Sequence, residues 1–515
     1  MANSRTVNVV KNTSATLVDK LMQIVIQFAL RTAFIYILGN EYTGLSGLFT
    51  DVLHVLSLME MGLDSSMIFS LYKPLAQNDT RRIRQLLQFY RTAFTIIGFV
   101  VMGAGIACVP FLRYIVKDVP NIKEDIRGIF LMYVATSACS YFLIYRAVLL
   151  RANQQSRIIS KWNVIVYSVE CVVEIVLLLI FKKYYAYLIV HFIAVIARNI
   201  IISHITTKKY PHFFDQKEEP MSKRERRTLF RDLACLTMYD VSGVVINSTD
   251  SVFISAFVGT VEVAIIGNFT MIITAVRSLV NQSVNAVKPS IGNLAATSSN
   301  EKQEQVFKTL NFLTFWIACI CCTCLFVLLN PFVGDIWLNS SYVVSNAIIG
   351  VMVANFFIAV MVFPVEGFRT ANGLFVQGWM RPLIMAALNI ALDFFWGRKW
   401  GIMGIFVATT VSRLLTQVWF DPWLIFTRVF KTSVLAYYIK YVVYAATTAA
   451  SCAIAYCLCG MIHVDSGILR FLIYAVISVI IPNLIVLALF GRSDDCHYLF
   501  GAVKQLLAKV RRRAR

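Results

Sequence analysis

Charge is scarce in this chain, and negative charge scarcer still. Only 15% of its 515 residues are charged, 28 acids against 48 lysines and arginines. Polar stretches long enough to build a soluble domain are missing, which leaves little room for a water-filled catalytic domain. The polar start, residues 1–14, lacks the short apolar core and small-residue cleavage site of a signal peptide, so the first apolar run is expected to remain. Metal-site spacing is missing as well. Eleven of the 12 cysteines, all but Cys496, sit inside apolar runs, with Cys319, Cys321, Cys322 and Cys324 in one of them, and no histidine stands at ligand spacing to them. Thiols so placed act as small apolar fillers, and neither a metal nor another cofactor is expected.

What the chain has in abundance is apolar length. Hydrophobic residues make up 58% of it and its mean hydropathy is +0.69, well above soluble domains at roughly 45–50% apolar. A helix needs roughly 20 apolar residues to cross about 30 Å of hydrocarbon, because lipid offers no partner to a free backbone N–H or C=O. Runs of that length recur about fourteen times, from near 16–38 to near 468–490, and include 45–69, 232–257, 374–395 and 401–425. The expected fold class is therefore all-α, a polytopic integral membrane protein.

The formal charge of +20 would suggest nucleic acid in a soluble protein. Here most lysines and arginines fall in alternate loops, which sets those loops on the cytoplasmic side, with both termini inside, and no nucleic-acid partner is expected. The longest such segment, 206–231, carries Lys208, Lys209, Lys223, Arg224, Arg226 and Arg227 with Pro211 and Pro220. It divides an expected six-helix lobe, 1–205, from a second, 232–430. Two additional helices (431–490) follow, then a basic amphipathic tail (491–515). The tail places Leu499, Val503, Leu506 and Val510 on one helical face and ends Arg511-Arg512-Arg513-Ala-Arg515, a pattern suited to anionic inner-leaflet lipid.

A hairpin appears twice. Gly39, Gly47, Phe49 and Thr50 recur at one constant offset as Gly259, Gly267, Phe269 and Thr270, and each copy closes on a Lys-Pro pair, Lys73-Pro74 and Lys288-Pro289. Such a repeat implies lobes related by an axis along the membrane normal. Polar residues inside the repeated spans fall on helical faces. Asp19, Gln23, Gln27 and Arg31 recur every four residues. Asp240, Gly243, Asn247 and Asp250 repeat the device, and Thr270, Thr274, Arg277, Asn281, Asn285 and Lys288 form the clearest stripe. Span two offers Ser57, Glu60 and Asp64. Intramembrane polar groups are costly and face protein or water, so these stripes are expected to converge on a cleft between the halves.

Arg277 and Arg413 lie near mid-span, too deep to snorkel easily. Each either faces an anion or pairs with an acid, Asp250 being one choice for Arg277. Arg31 and Arg198 are close enough to an interface to snorkel instead. A guanidinium suits phosphate through two parallel hydrogen bonds. Glu60, Asp64 and Asp240 are candidates for coupling to a proton or sodium ion, or they balance the arginines. Glu170 and Glu174, one turn apart, share a face with Tyr167.

These residues bring a family into view. The run Arg31-Thr-Ala-Phe-Ile-Tyr-Ile-Leu-Gly-Asn-Glu-Tyr-Thr-Gly-Leu-Ser-Gly-Leu-Phe-Thr50, with Glu60-Met-Gly-Leu-Asp64, Ser70-Leu-Tyr-Lys-Pro-Leu75, Val245-Ile-Asn-Ser-Thr-Asp250, Gly267-Asn-Phe-Thr270 and Pro289-Ser-Ile-Gly-Asn-Leu294, resembles the Wzx-like polysaccharide flippases. These belong to the MATE and lipid-flippase (MOP) superfamily. The resemblance implies alternating access that carries an undecaprenyl-diphosphate-linked oligosaccharide across the bacterial cytoplasmic membrane, for capsule, exopolysaccharide or another surface glycan. It also implies glycosyltransferases and a polymerase of the same pathway as partners. Carried over, it places Arg31, Asn247 and Asp250 at the substrate, beside the stripe residues Arg277, Asn281 and Lys288 and the mid-span Arg413. Where that branch shows Tyr-Ser-Asn-Tyr, this chain has Ile266-Gly267-Asn268-Phe269, which keeps the amide of Asn268 and lacks both tyrosine hydroxyls. A cation-coupled drug antiporter of the same superfamily is the first competing reading. A membrane glycosyltransferase or polymerase is the second, and short outer loops with no paired acids at catalytic positions in the inner ones count against it.

Overall fold

The computed structural model describes residues 2–57, 67–68, 70–75, 77–116, 122–153, 155–214, 221–222, 225, 248–285, 291, 298–374, 377–462 and 464–501, with side chains omitted for 2–15 and 283–285. Among them there is no strand, and eleven helical segments are long and apolar enough to cross a membrane. The protein is a multi-pass, all-helical membrane protein. One segment, Arg381–Phe430, is 50 residues long. At about 1.5 Å per residue it would reach about 75 Å, more than twice the hydrocarbon thickness, so it has length for two crossings. It breaks at Gly401, whose φ of 59° and ψ of −136° belong to no helix. This break falls where the expected spans 374–395 and 401–425 meet. The expected spans 45–69 and 232–257 run into 58–66 and 226–247, outside the described residues, as do the tail 502–515 and much of the linker 206–231.

The chain forms two compact units, Met1–Ile265 and Ile266–Arg515. The first contains α1 (Ala2–Ile37), α2 (Asn40–Leu56), α3 (Thr80–Cys108), α4 (Ile126–Ile144), α5 (Ser156–Phe181), α6 (Tyr184–Lys209), the helix α7 (248–257) and the start of α8 (Thr260–Asn285). Helix starts use local caps: the Asp79 carboxylate accepts from the Arg82 N–H at 2.9 Å, satisfying a donor that the helix leaves over. The α5 C-terminus closes on Lys182, held left-handed at φ 50°. Its core sets Phe49 of α2 edge-on to Phe130 of α4, at 5.0 Å between ring centroids, and stacks Phe94 of α3 on Tyr141.

Within this unit the two copies of the hairpin touch backbone to backbone. A Cβ added at Gly44 of α2 would stand 2.0 Å from the carbonyl oxygen of Thr260, the first residue of α8. Only glycine permits that approach, and it places the head of one repeat against the head of the other.

The second unit contains the rest of α8, α9 (Asn300–Pro331), α10 (Asn346–Ala371), α11 (Arg381–Leu415), α12 (Gln417–Ile425), α13 (Leu435–Gly460) and α14 (Gly467–Phe490). Serine caps start three of these helices: Ser299, Ser345 and Ser466 each accept a backbone N–H three residues on. Phe315 of α9 stacks on Tyr444 of α13 at 3.9 Å, and Phe490 of α14 packs against both rings. The two helices after the expected second lobe are thus built into this unit's aromatic core. Their outer faces carry Ile439, Val442, Leu472 and Val476, exposed in the protein and covered by lipid in a membrane.

Candidate functional site

Glu60, Asp64, Asp240, Asn247 and Lys288 lie outside the described residues. The other sequence-predicted residues occupy different settings. Arg31, on α1, donates from Nη2 to the carbonyl oxygen of Ala264 at 2.7 Å, so it ties the first helix to the start of α8. Asp250 is half-buried on α7, Asn268 is fully buried on α8, and Asn281 is half-buried about one turn before the end of the described part of that helix. Arg413, near the end of α11, is buried and donates from Nη1 to the carbonyl oxygen of Asn355 at 3.3 Å. Asn355 in turn donates to the Phe406 carbonyl at 2.9 Å and accepts from Thr410 at 3.1 Å, so Arg413 belongs to a polar seam between α10 and α11.

Arg277 differs from these. It is half-buried on α8, and among the described residues no group hydrogen-bonds its guanidinium. The charge that acts on it is the carboxylate of Glu366 on α10, which accepts from Gln417 at 3.4 Å. Among the described residues Arg277 is therefore a membrane-embedded cation whose guanidinium makes no hydrogen bond.

Two charged clusters emerge that the periodicity of the sequence did not assemble. In the second unit Asp421 of α12 is 1% exposed and lies between two buried arginines: Arg369 Nη1 at 2.9 Å and Arg381 Nη2 at 3.2 Å. The trio carries one net positive charge. In the first unit Glu170 and Glu174 of α5 face His191 of α6. The imidazole Nδ1 is 2.7 Å from Glu170 Oε1 and 3.8 Å from Glu174 Oε1. Their ligand-type atoms lie within 4.8 Å of one another, making this the one group among the described residues that has the composition and closeness of a metal site. Nearer the start of α5, Asn163 donates to Asp19 of α1 at 3.3 Å, and Gln23 donates to the same carboxylate at 2.9 Å. Asp19 thus faces α5. Arg198 of α6 sits over the Tyr167 ring at 4.6 Å, a cation–π contact that keeps it inside the protein.

The second unit also holds an apolar cavity of about 600 Å³ between α9, α10, α11 and α13, bordered by Phe326, Val353, Phe357, Leu414 and Tyr441. Polar atoms contribute little to its walls.

Comparison with solved structures places this fold. It is similar to the lipid II flippase MurJ in an inward closed conformation, with a TM-score of 0.65 at 13% identity, covering 93% of this chain and 98% of that one. It is similar also to the MATE transporter VcmN of Vibrio cholerae, TM-score 0.60 at 13% identity over 83% of this chain and 97% of that one. The chain shares its fold with these two transporters. A curated relative, the uncharacterized membrane protein MJ1068 of Methanocaldococcus jannaschii, is 24% identical over 413 residues, 74% of this chain and 78% of its own. The family model for polysaccharide biosynthesis proteins matches residues 9–295, more than half of the chain, and the chain belongs to that family.

Proposed function

We propose that this protein is a flippase that carries an undecaprenyl-diphosphate-linked oligosaccharide across the bacterial cytoplasmic membrane by alternating access, and that it is a transporter with no catalytic step. The single observation that carries the reading is Arg277: a guanidinium on a membrane helix of a polysaccharide biosynthesis protein, with no hydrogen-bond partner among the described residues. A diphosphate offers that fork two acceptor oxygens in a low-dielectric setting, where a charge-assisted pair is strong. Glu366 balances the cation while the site is empty and gives way to an anion that bonds directly. Arg31 and Arg413 have each committed a donor to a backbone carbonyl, so each ties helices together within its own unit. The apolar cavity of the second unit suits hydrocarbon, and the flipped lipid brings an isoprenoid chain with it.

A cation-coupled antiporter is the second reading, favoured by the buried acids Glu170 and Glu174. Depletion of the protein, with lipid-linked sugars assayed separately on each leaflet, tests the two. Accumulation of complete lipid-linked units on the cytoplasmic leaflet, restored by the wild type and not by Arg277→Gln at equal abundance, is the expected result. Unchanged glycan export with altered resistance to cationic drugs refutes the flippase.

A further inference from the structure

We propose that Glu170, Glu174 and His191 form a proton-binding site inside the N-terminal unit, loaded and unloaded through the imidazole. Its use as the coupling site rests on the transporter reading above; its existence does not.

The geometry requires a positive species. Glu170 and Glu174 are one turn apart on α5, so both carboxyls project from one face, and α6 presents His191 to them. Glu174 is fully buried, and among the described residues neither of its carboxyl oxygens nor Glu170 Oε2 has a hydrogen-bond partner. Among the described residues no lysine or arginine pairs with either acid. Two ionised carboxylates beside a neutral imidazole would leave two uncompensated charges in the interior of a membrane unit, which costs far more than taking up a proton. The other titratable neighbours do not supply compensation. Tyr133 of α4, Tyr187 of α6 and Cys171 of α5 are neutral groups that feel the acids, while Arg198 is held over Tyr167 and Asp19 of α1 adds negative charge on that side.

The same distances select a proton over a metal. At 2.7 Å the Glu170 oxygen and the His191 nitrogen share a hydrogen directly. Two ligands of one tetrahedral metal ion stand about 3.3 Å apart, given metal–ligand bonds of about 2.0–2.1 Å. Burial then gives the site a direction. The His191 side chain is 34% exposed, Glu170 is 6% and Glu174 is 0%, so the imidazole is the accessible member and Glu174 the deepest. In the loading step the His191 Nδ1–H bond breaks as an O–H bond forms on Glu170 Oε1, and the imidazole takes up a proton from water at Nε2, so the site gains one proton in all. The Tyr187 ring, stacked on the imidazole at 5.9 Å and 10° between planes, holds it in line.

Infrared difference spectroscopy on the full-length protein in lipid nanodiscs, stepped between mildly acid and mildly alkaline pH, reads the site without any transport. The wild type is expected to show a protonated-carboxyl C=O band that responds to the step, with that band lost in Glu170→Gln/Glu174→Gln. His191→Gln, which keeps both acids, is expected to shift the pH at which the band responds, and it serves if the double variant does not fold. A band identical in wild type and both variants overturns the proposal. So does thermal stabilisation by zinc, magnesium or sodium chloride alone that is lost in His191→Gln, since it would make the site a metal site. Either outcome leaves the leaflet assay of export untouched.

Discussion

Removing the carboxylate of Asp421 tests whether the buried cationic trio is a strut of the second unit. Asp421→Asn keeps the shape and withdraws the negative charge, leaving Arg369 and Arg381, 6% and 7% exposed, as like charges with no counter-ion from Asp421. Breaking a buried pair by deleting one partner costs about 3–5 kcal/mol, because the surviving charge stays buried. The two arginines should not contribute equally. Arg369 stands in the last turn of α10, where the helix dipole favours a cation, while Arg381 is the first residue of α11, where the dipole opposes one. Arg381 therefore leans harder on Asp421. Adding Arg381→Met to Asp421→Asn should recover a larger share of the loss than adding Arg369→Met. Replacing all three by apolar residues of similar size should come close to the wild type, as buried ion networks often do when exchanged whole. Thermal unfolding in detergent, followed by size-exclusion fluorescence and arranged as a double-mutant cycle, measures the order. Wild-type stability in Asp421→Asn would refute the reasoning, and equal rescue by the two arginine variants would refute the dipole argument.

Gly44→Ala is expected to destabilise by about 1–3 kcal/mol, the usual range for overpacking, because its methyl would stand 2.0 Å from the Thr260 carbonyl oxygen; a melt indistinguishable from wild type would mean the two hairpins do not abut. At Gly401, φ 59° and ψ −136° are accessible to glycine and to few other residues, so Gly401→Ala should cost about 1–3 kcal/mol and lower the melting temperature, with the continuous helix it invites trapping less-folded protein. Phe315→Leu removes a ring stacked on Tyr444 at 3.9 Å and should cost about 0.5–1.5 kcal/mol beyond lost area, read by the same melt. Arg277→Lys keeps the charge and loses the planar fork, so lipid-linked units should accumulate on the cytoplasmic leaflet almost as in Arg277→Gln; full export by the lysine variant would show that a point charge suffices.

What was legible from sequence follows the range over which each signal acts. Apolar length is local, so the all-helical membrane architecture could be read directly, and the break at Gly401 coincides with the gap between two expected spans. The stripe that begins at Asp19 was visible from its four-residue period, and its partner Asn163, 144 residues away, was not. Charged clusters fail for the same reason. Arg369, Arg381 and Asp421 lie on three helices and share no period, so nothing local joins them, whereas the acid pair Glu170 and Glu174 was legible as one turn of α5 and only its partner His191 was hidden. A lone histidine among apolar residues carries little information; opposite two buried acids with unpartnered oxygens it becomes the most accessible atom of a charged cluster. The physical rule behind both cases is that a membrane interior tolerates charge only in company. Periodicity shows which face a charge is on, and the company it keeps is decided by helices that meet across long stretches of chain. An intramembrane acid read from sequence should therefore be treated as half of a pair whose other half is still to be located, and in this protein the located half is the imidazole of His191 on the facing helix.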